Sequence, residues 1–155
     1  MVEFAFVLPV TLLLMLGIFE FGRAFVFGVA VQNGAREAAR LAATADYDGN
    51  VSDATVLGRV VNASVPALLG CAPTTSTQVC GGGTWNLAIS VSGGGGGGET
   101  YSSVAAARAG GKLAGSQVTI TARGSVALLP GLNTGMPGLT LPTITVQGQS
   151  AMVVL

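Results

Sequence analysis

The N-terminal part of the chain is a long run of apolar positions. Only Glu3, Glu20 and Arg23 carry a charge among the first 31 residues, and the 16-residue stretch 4–19 contains no charge. A small soluble domain cannot bury so large an apolar surface within itself. We therefore expect this segment to lie in lipid, in a bundle of identical helices, or in each of these at different times.

The apolar run continues without a break into an amphipathic pattern, which predicts one long helix from Val2 to about Ala45. Pro9 is expected to bend its first turns because it removes a backbone donor. From Asn33 onward, alanines and one leucine face away from the charged positions, so this half should pack on the chain's own domain. Four glycines inside the pattern predict close approach of neighbouring helices; they are Gly17, Gly22, Gly28 and Gly34.

A cluster of turn residues at positions 46–50 ends this helix. A second helix is expected to begin at Ser52 or Asp53, either of which can cap it, and to end near Val65 before a proline. The triplet 62–64 fits a glycosylation sequon, but it lies inside this predicted helix, where so short a pattern is weak evidence.

The hydrophobic period then changes from that of a helix to that of a strand. Strands are predicted at 84–92 and 116–129, and a last strand or strand pair at 139–155. A short helical turn is predicted at 103–109, and loops at 93–98 and 133–138. Gly124 is a candidate bend and Gly148 a candidate bulge. The predicted fold class is α+β: the second half of a long N-terminal apolar helix packs on a small antiparallel sheet, with one additional short helix. We divide the chain into a hydrophobic helix, residues 1–32, and a globular domain, residues 33–155.

Composition excludes one class of partner and favours another. Hydrophobic residues make up 50% of the 155 residues, charged residues 9%, and the net charge is zero. Nucleic-acid binding requires a basic stripe that releases counterions, and the chain has none. A surface with so few charges also predicts extensive burial between subunits.

The two cysteines, Cys71 and Cys80, flank a short polar loop. A disulfide that closes this loop is expected in an oxidising compartment, and two free buried thiols are the alternative. A metal site is not expected, because the spacing does not suit zinc and the chain contains no histidine. The hydroxyl residues of the loop are candidate positions for O-linked sugars; they are Thr74, Thr75, Ser76 and Thr77.

The inventory of reactive residues argues against an enzyme. Histidine, the commonest general base, is absent, and no G-x-S-x-G elbow occurs. The glycine run at 93–98 is not followed by the Lys-Ser/Thr of a phosphate loop. Asp46 and Asp48 would need three or more further oxygen ligands to hold calcium. We expect no catalytic activity, cofactor or metal.

The N-terminal pattern resembles the signature of TadE-like proteins, which are pilins and pseudopilins of the tight-adherence branch of type IV pili. The matching residues are Val2-Glu3-Phe4-Ala5, Leu8-Pro9, Glu20-Phe21-Gly22-Arg23 and the run 32–43. The C-terminal order VTITARGSVALLPGL, then LTLPTITVQGQSAMV, is loosely similar to the same family. A secretory signal peptide would instead carry a basic n-region and a cleavage site, whereas this segment begins with the acid Glu3.

This resemblance implies a structural subunit that assembles through its N-terminal helix into an extracellular filament for adhesion. The implied partners are copies of the same chain, a prepilin peptidase, the pilus assembly machinery of the bacterial inner membrane and, before assembly, the lipid bilayer. The implied assembly residues are Glu3, Phe4, Pro9, Glu20 and Arg23, with Glu3 facing the N-terminal amine of an adjacent subunit. The alternative is a minor pilin, a pseudopilin or a membrane-tethered binding module that primes or caps the filament.

Overall fold

The computed structural model describes residues 2–45, 49, 51–65, 67–81, 83–93, 99–111, 113–128 and 142–155. The fold is α+β, with a long N-terminal helix, two short helices and an antiparallel sheet. The predictions for the loop at 133–138, for the glycines 94–98 and for Asp46 and Asp48 lie outside the described residues.

Helix α1, Val2–Ala43, has 42 residues and is therefore about 63 Å long. Glu3 lies in its first turn and Arg40 in its last, so each charge is placed favourably at the end of the helix dipole. The helix continues through Pro9. The long helix is thus confirmed, while the bend at Pro9 stays a prediction.

Two short helices are each capped by a serine, and a hydrogen bond connects one to the other. Ser52 accepts a hydrogen bond from Thr55 N at the start of α2, Asp53–Ala63. Ser103 caps α3, Val104–Ala109, in the same way. The Asp53 carboxylate also accepts a bond from Val104 N at 2.7 Å, so one acid at the start of α2 satisfies a free donor of α3.

The sheet contains five antiparallel strands in the described residues. They are β1, Gln78–Cys80; β2, Gly83–Ser92; β3, Thr100–Tyr101; β4, Gln117–Ala127; and β5, Thr143–Val153. The order is β1-β2-β4-β5, and β3 pairs with the far end of β2 on the same edge as β1. The sequence pattern missed β1 and β3, because a strand of two or three residues has no measurable alternation.

The core lies between one face of the sheet and one face of α1, with α2 packed beside α1. Along β2 the buried side chains alternate with exposed or half-buried ones, starting at the fully buried Trp85. The α1 residues in the core are Phe27, Val31, Ala35, Ala38, Ala39 and Ala42. The second half of α1 therefore packs on the sheet as predicted. The domain division at residue 32 stays a prediction, and the buried Phe27 and Val31 lie on the N-terminal side of it.

Two glycines permit close backbone contacts. A Cβ atom on Gly148 of β5 would lie 2.5 Å from the Val31 carbonyl oxygen of α1. A Cβ atom on Gly34 of α1 would lie 2.8 Å from the Val60 carbonyl oxygen of α2. Gly148 pairs in regular register with Ala122, so the predicted bulge is wrong: the glycine makes room for the helix. Gly34, which the sequence predicted to approach a neighbouring helix, lies close to α2 of its own chain.

We expect Gly148→Ala to lower the free energy of unfolding by about 1–3 kcal/mol, because the methyl group must displace the α1 backbone. Gly58→Ala in α2 is the matched control. Its Cβ would meet only Pro73, at 3.9 Å, and the change should stabilise the helix by about 0.5–1 kcal/mol. Urea unfolding of both variants in mild detergent measures the difference. Equal stabilities would show that α1 and β5 are not in close contact.

Candidate assembly surface

The first half of α1 presents apolar side chains on every side. Its large apolar residues between Phe4 and Phe21 are 40–74% exposed, whereas soluble proteins rarely expose more than isolated apolar patches. These residues lie on one regular helix, so together they form a rod that the chain's own described residues leave uncovered. We call residues 4–21 the bare half of α1.

By length and composition, α1 is able to cross a membrane. Its most apolar 18-residue window has a mean hydropathy of 2.3 and is only 6% buried. The core helix of a soluble protein would be mostly buried, although a signal sequence near an N-terminus also has these properties. The bare half therefore requires lipid or another apolar surface as its cover.

The three predicted residues near the start of α1 lie in or beside this bare half. Glu3 and Phe4 line a shallow depression together with Ala5 and Leu8. Within the described part of the chain, Glu3 has no hydrogen bond or ion pair. Pro9 lies inside the helix and lacks the N–H that would bond the Ala5 carbonyl.

Glu20 and Arg23 mark the level at which the sheet meets the helix. Arg23 Nη2 and Nε donate to one carboxylate oxygen of Glu20 at 2.7 and 3.0 Å. The same Nη2 donates to the Ala127 carbonyl at the end of β4, at 2.6 Å. The guanidinium also lies 5.6 Å from the centre of the Phe27 ring, within range of a cation–π interaction.

This pair is largely buried, with the Arg23 and Glu20 side chains 20% and 11% exposed. It lies within one helix, so in this chain the two charges neutralise each other without a second subunit. No local pattern indicates the third group, the Ala127 carbonyl, because it is a backbone group that the sheet places beside Arg23. Because Arg23 bonds both Glu20 and the end of β4, it connects this end of the sheet to α1.

The loop between the cysteines forms a separate surface that a disulfide closes. Cys71 and Cys80 form a disulfide with their Cα atoms 5.3 Å apart. The Gln78 side-chain amide bonds both the N–H and the carbonyl of Ala72, each at 2.8 Å. Asn86 donates to the Thr77 hydroxyl at 3.2 Å. The hydroxyl residues of the loop are exposed, and their modification by sugars stays a prediction; they are Thr74, Thr75, Ser76 and Thr77.

Within the described residues, no group of three or more acids and cysteines is placed to hold a metal ion. The Tyr101 hydroxyl donates to the Glu99 carboxylate at 2.8 Å, and this hydrogen bond raises the pKa of Tyr101. The largest apolar area of the described surface is the bare half of α1, which suits association.

Comparison with known proteins bears on the same part of the chain. The model of the family described as TadE-like protein matches residues 1–40, which include all five predicted assembly residues. No curated protein and no solved structure matches the chain. The family match confirms the resemblance drawn from the N-terminal pattern and indicates a protein associated with tight-adherence pili. The sheet lies outside the matched residues.

Arg23→Met should lower the free energy of unfolding by about 2 kcal/mol. It leaves the Glu20 carboxylate and the Ala127 carbonyl largely buried without their partner, and the remaining solvent exposure keeps the loss below that of a fully buried pair. Glu20→Gln should cost about 1 kcal/mol, because Arg23 keeps its bond to Ala127. Urea unfolding of both single variants and the double variant gives the coupling free energy. Arg123→Met, at an exposed position of β4, is the control; an equal loss in this control would contradict a specific role for Arg23.

Proposed function

We propose that this protein is a structural subunit of a tight-adherence pilus, a branch of the type IV pili, which assembles through α1 into an extracellular helical filament for adhesion. The observation that carries the proposal is the bare half of α1, an apolar rod that precedes a folded domain and lies within the segment that matches the TadE-like family. TadE-like pilus proteins are structural, which supports a role without catalysis.

The physical chemistry of the bare half supports two successive environments. In the bacterial inner membrane, lipid covers it as an anchor. In the filament, the same surface contacts helices of other copies. Because both environments are apolar, the transfer between them releases little hydrophobic free energy, and extraction requires an energy-driven assembly machine. A contact between two different faces of identical chains then propagates as an open helix.

Glu3 is the group that distinguishes the two environments. A carboxylate near hydrocarbon is costly unless it is paired, and the described part of the chain gives Glu3 no partner. We propose that the N-terminal amine of an adjacent subunit, released by a prepilin peptidase, is its partner in the filament. The pairing would then favour assembly over dispersal in lipid.

The disulfide-closed loop supports an outward role for the domain. Gln78 bonds the Ala72 carbonyl and Asn86 bonds the Thr77 hydroxyl, and such contacts reduce the cost of ordering the loop when it meets a partner. We propose that it faces the outer wall of the filament, where Thr75 and Thr77 are accessible to surfaces or to O-linked sugars.

Glu3→Ala tests the proposal. The variant should insert into the membrane as the wild type does, but its amount in sheared filaments should fall by about tenfold or more, because a buried amine would lack its counter-charge. Immunoblots of membrane and sheared fractions measure both quantities. Glu99→Ala, which removes an exposed acid of the domain, is the control and should assemble normally.

Two other results would change the conclusion. Normal filament yield from Glu3→Ala would contradict the pairing. A wild-type protein that is scarce in sheared filaments, yet required for their formation, would favour a minor pilin or pseudopilin that primes or caps the filament.

A further inference from the structure

An apolar cleft lies between the bare half of α1 and the end of the sheet that is nearest to it. On the sheet side it is lined by Leu128, just after β4, and by Ile144 of β5, both of them half-buried. The Leu128 N–H donates to the Pro142 carbonyl at 3.4 Å, which holds the two strand ends together. We call this cleft, which has a volume of about 370 Å³, the α1–sheet cleft. Its helix side is lined by Leu13, Leu16, Gly17, Glu20 and Phe21.

The cleft offers no unpaired charge. Among the described residues that line it, Glu20 is the charged one, and the Arg23 guanidinium pairs with its carboxylate at 2.7 Å. The sheet side lies in a part of the chain without charges, since residues 124–155 contain no acidic or basic residue. A charged or strongly polar ligand would lose its hydration here without gaining a partner, so the cleft suits an apolar ligand.

As a membrane-spanning helix, α1 would place this cleft within the hydrocarbon of the bilayer. A hydrocarbon core about 30 Å thick is filled by about 20 helical residues, so a core that begins at Glu3 ends near residue 22. The helix side of the cleft, residues 13–21, then lies in the half of the core that is nearer to the folded domain. Because Leu128 and Ile144 line the same cleft, this end of the sheet reaches below the membrane boundary.

The size of the cleft indicates what fills it. An α-helix with its side chains is about 10 Å or more across, so a single turn already takes up about 400 Å³. A second helix could therefore cover the cleft but not enter it. The volume lies near the lower limit of small-ligand sites, about 300–1,000 Å³, which suits one flexible chain. In a membrane, the acyl chains of lipids surround α1 and are the apolar chains at hand.

We propose that the α1–sheet cleft holds one acyl chain of a membrane lipid. This inference rests on the membrane stage of the proposed function, since the helix side of the cleft must lie in lipid. The chain covers Leu128 and Ile144 on the sheet side and lies against Gly17 on the helix side. Gly17 leaves room for it, because a Cβ atom there would meet no other atom within 4 Å.

A photoreactive lipid tests the site without requiring filaments. The full chain is reconstituted into phosphatidylcholine vesicles in which some lipids carry a diazirine in the middle of one acyl chain. After irradiation, mass spectrometry of peptides locates the lipid adducts. We expect adducts on Leu128 or Ile144 as well as on Phe21. Val153, which is exposed at the opposite end of β5, is the internal control and should carry none.

Two glycines of α1 provide a matched pair of variants. Gly17→Leu should lower the adducts on Leu128 and Ile144 by about fivefold or more, because the added side chain takes the place of the lipid chain. Its adducts on Phe21 should be unchanged. Gly22→Leu is the control: its Cβ would also meet nothing within 4 Å, but Gly22 does not line the cleft. Both variants make α1 equally more apolar, so a difference between them reports on the cleft.

The outcomes separate the lipid site from the proposed function. Adducts on Phe21 without any on Leu128 or Ile144 overturn the site and leave the membrane anchor intact. Equal labelling of the sheet residues in Gly17→Leu and Gly22→Leu shows contact with bulk lipid only and overturns a seated chain. A photoreactive residue in place of Ile144 that links to a second copy instead of lipid also overturns it. The absence of adducts on Phe21 contradicts the membrane stage itself, and the lipid site with it.

Discussion

The packing of one face of α1 on the sheet is the contact on which the rest of the fold depends. The helix backbone at Val31 lies directly over Gly148 of β5, and the following turns in the core are mostly alanine. Small residues on both sides allow the helix and the sheet to approach closely, so the core is thin and its apolar side chains come mainly from β2, β4 and α2. The same approach orients α1, which leaves its opposite face outside the core.

The Glu20–Arg23 pair lies where the environment of α1 changes. Below it the helix is exposed on all sides, and above it one face is covered by the sheet. An Arg that bonds both an acid of its own helix and a carbonyl of β4 satisfies its charge locally. A pair of this kind suits a boundary, because neither lipid nor a neighbouring helix has to supply a counter-charge.

Local patterns in the sequence predicted much of the fold. The uninterrupted apolar run predicted α1, the capping residues Ser52 or Asp53 predicted where α2 begins, and strict alternation predicted β2. The sequence did not reveal β1 or β3, which are too short to alternate. The sequence also did not show why position 148 is a glycine, because the atoms nearest to Gly148 belong to Val31, more than 100 residues away.

The candidate site divides in the same way. The resemblance to the TadE-like family implied Glu3, Phe4, Pro9, Glu20 and Arg23, which are charges, a ring and a breaker within an apolar helix. The Ala127 carbonyl depends on where β4 packs, which no local pattern encodes. Residues of one helix are thus accessible to sequence comparison, whereas a partner supplied by the domain requires the fold.

Under the proposed function, the balance between lipid and filament depends on a few polar groups. Exchanging lipid for neighbouring helices changes the apolar contacts of the bare half little, because both are equally dry. The Glu20–Arg23 pair is satisfied within the chain, so it too contributes little to the difference. Glu3, next to the bare half, has no partner among the described residues, so under the proposed function its free energy differs most between the two environments. In this proposal, one acid in the first turn controls the direction of a transfer that the large apolar surface leaves nearly neutral.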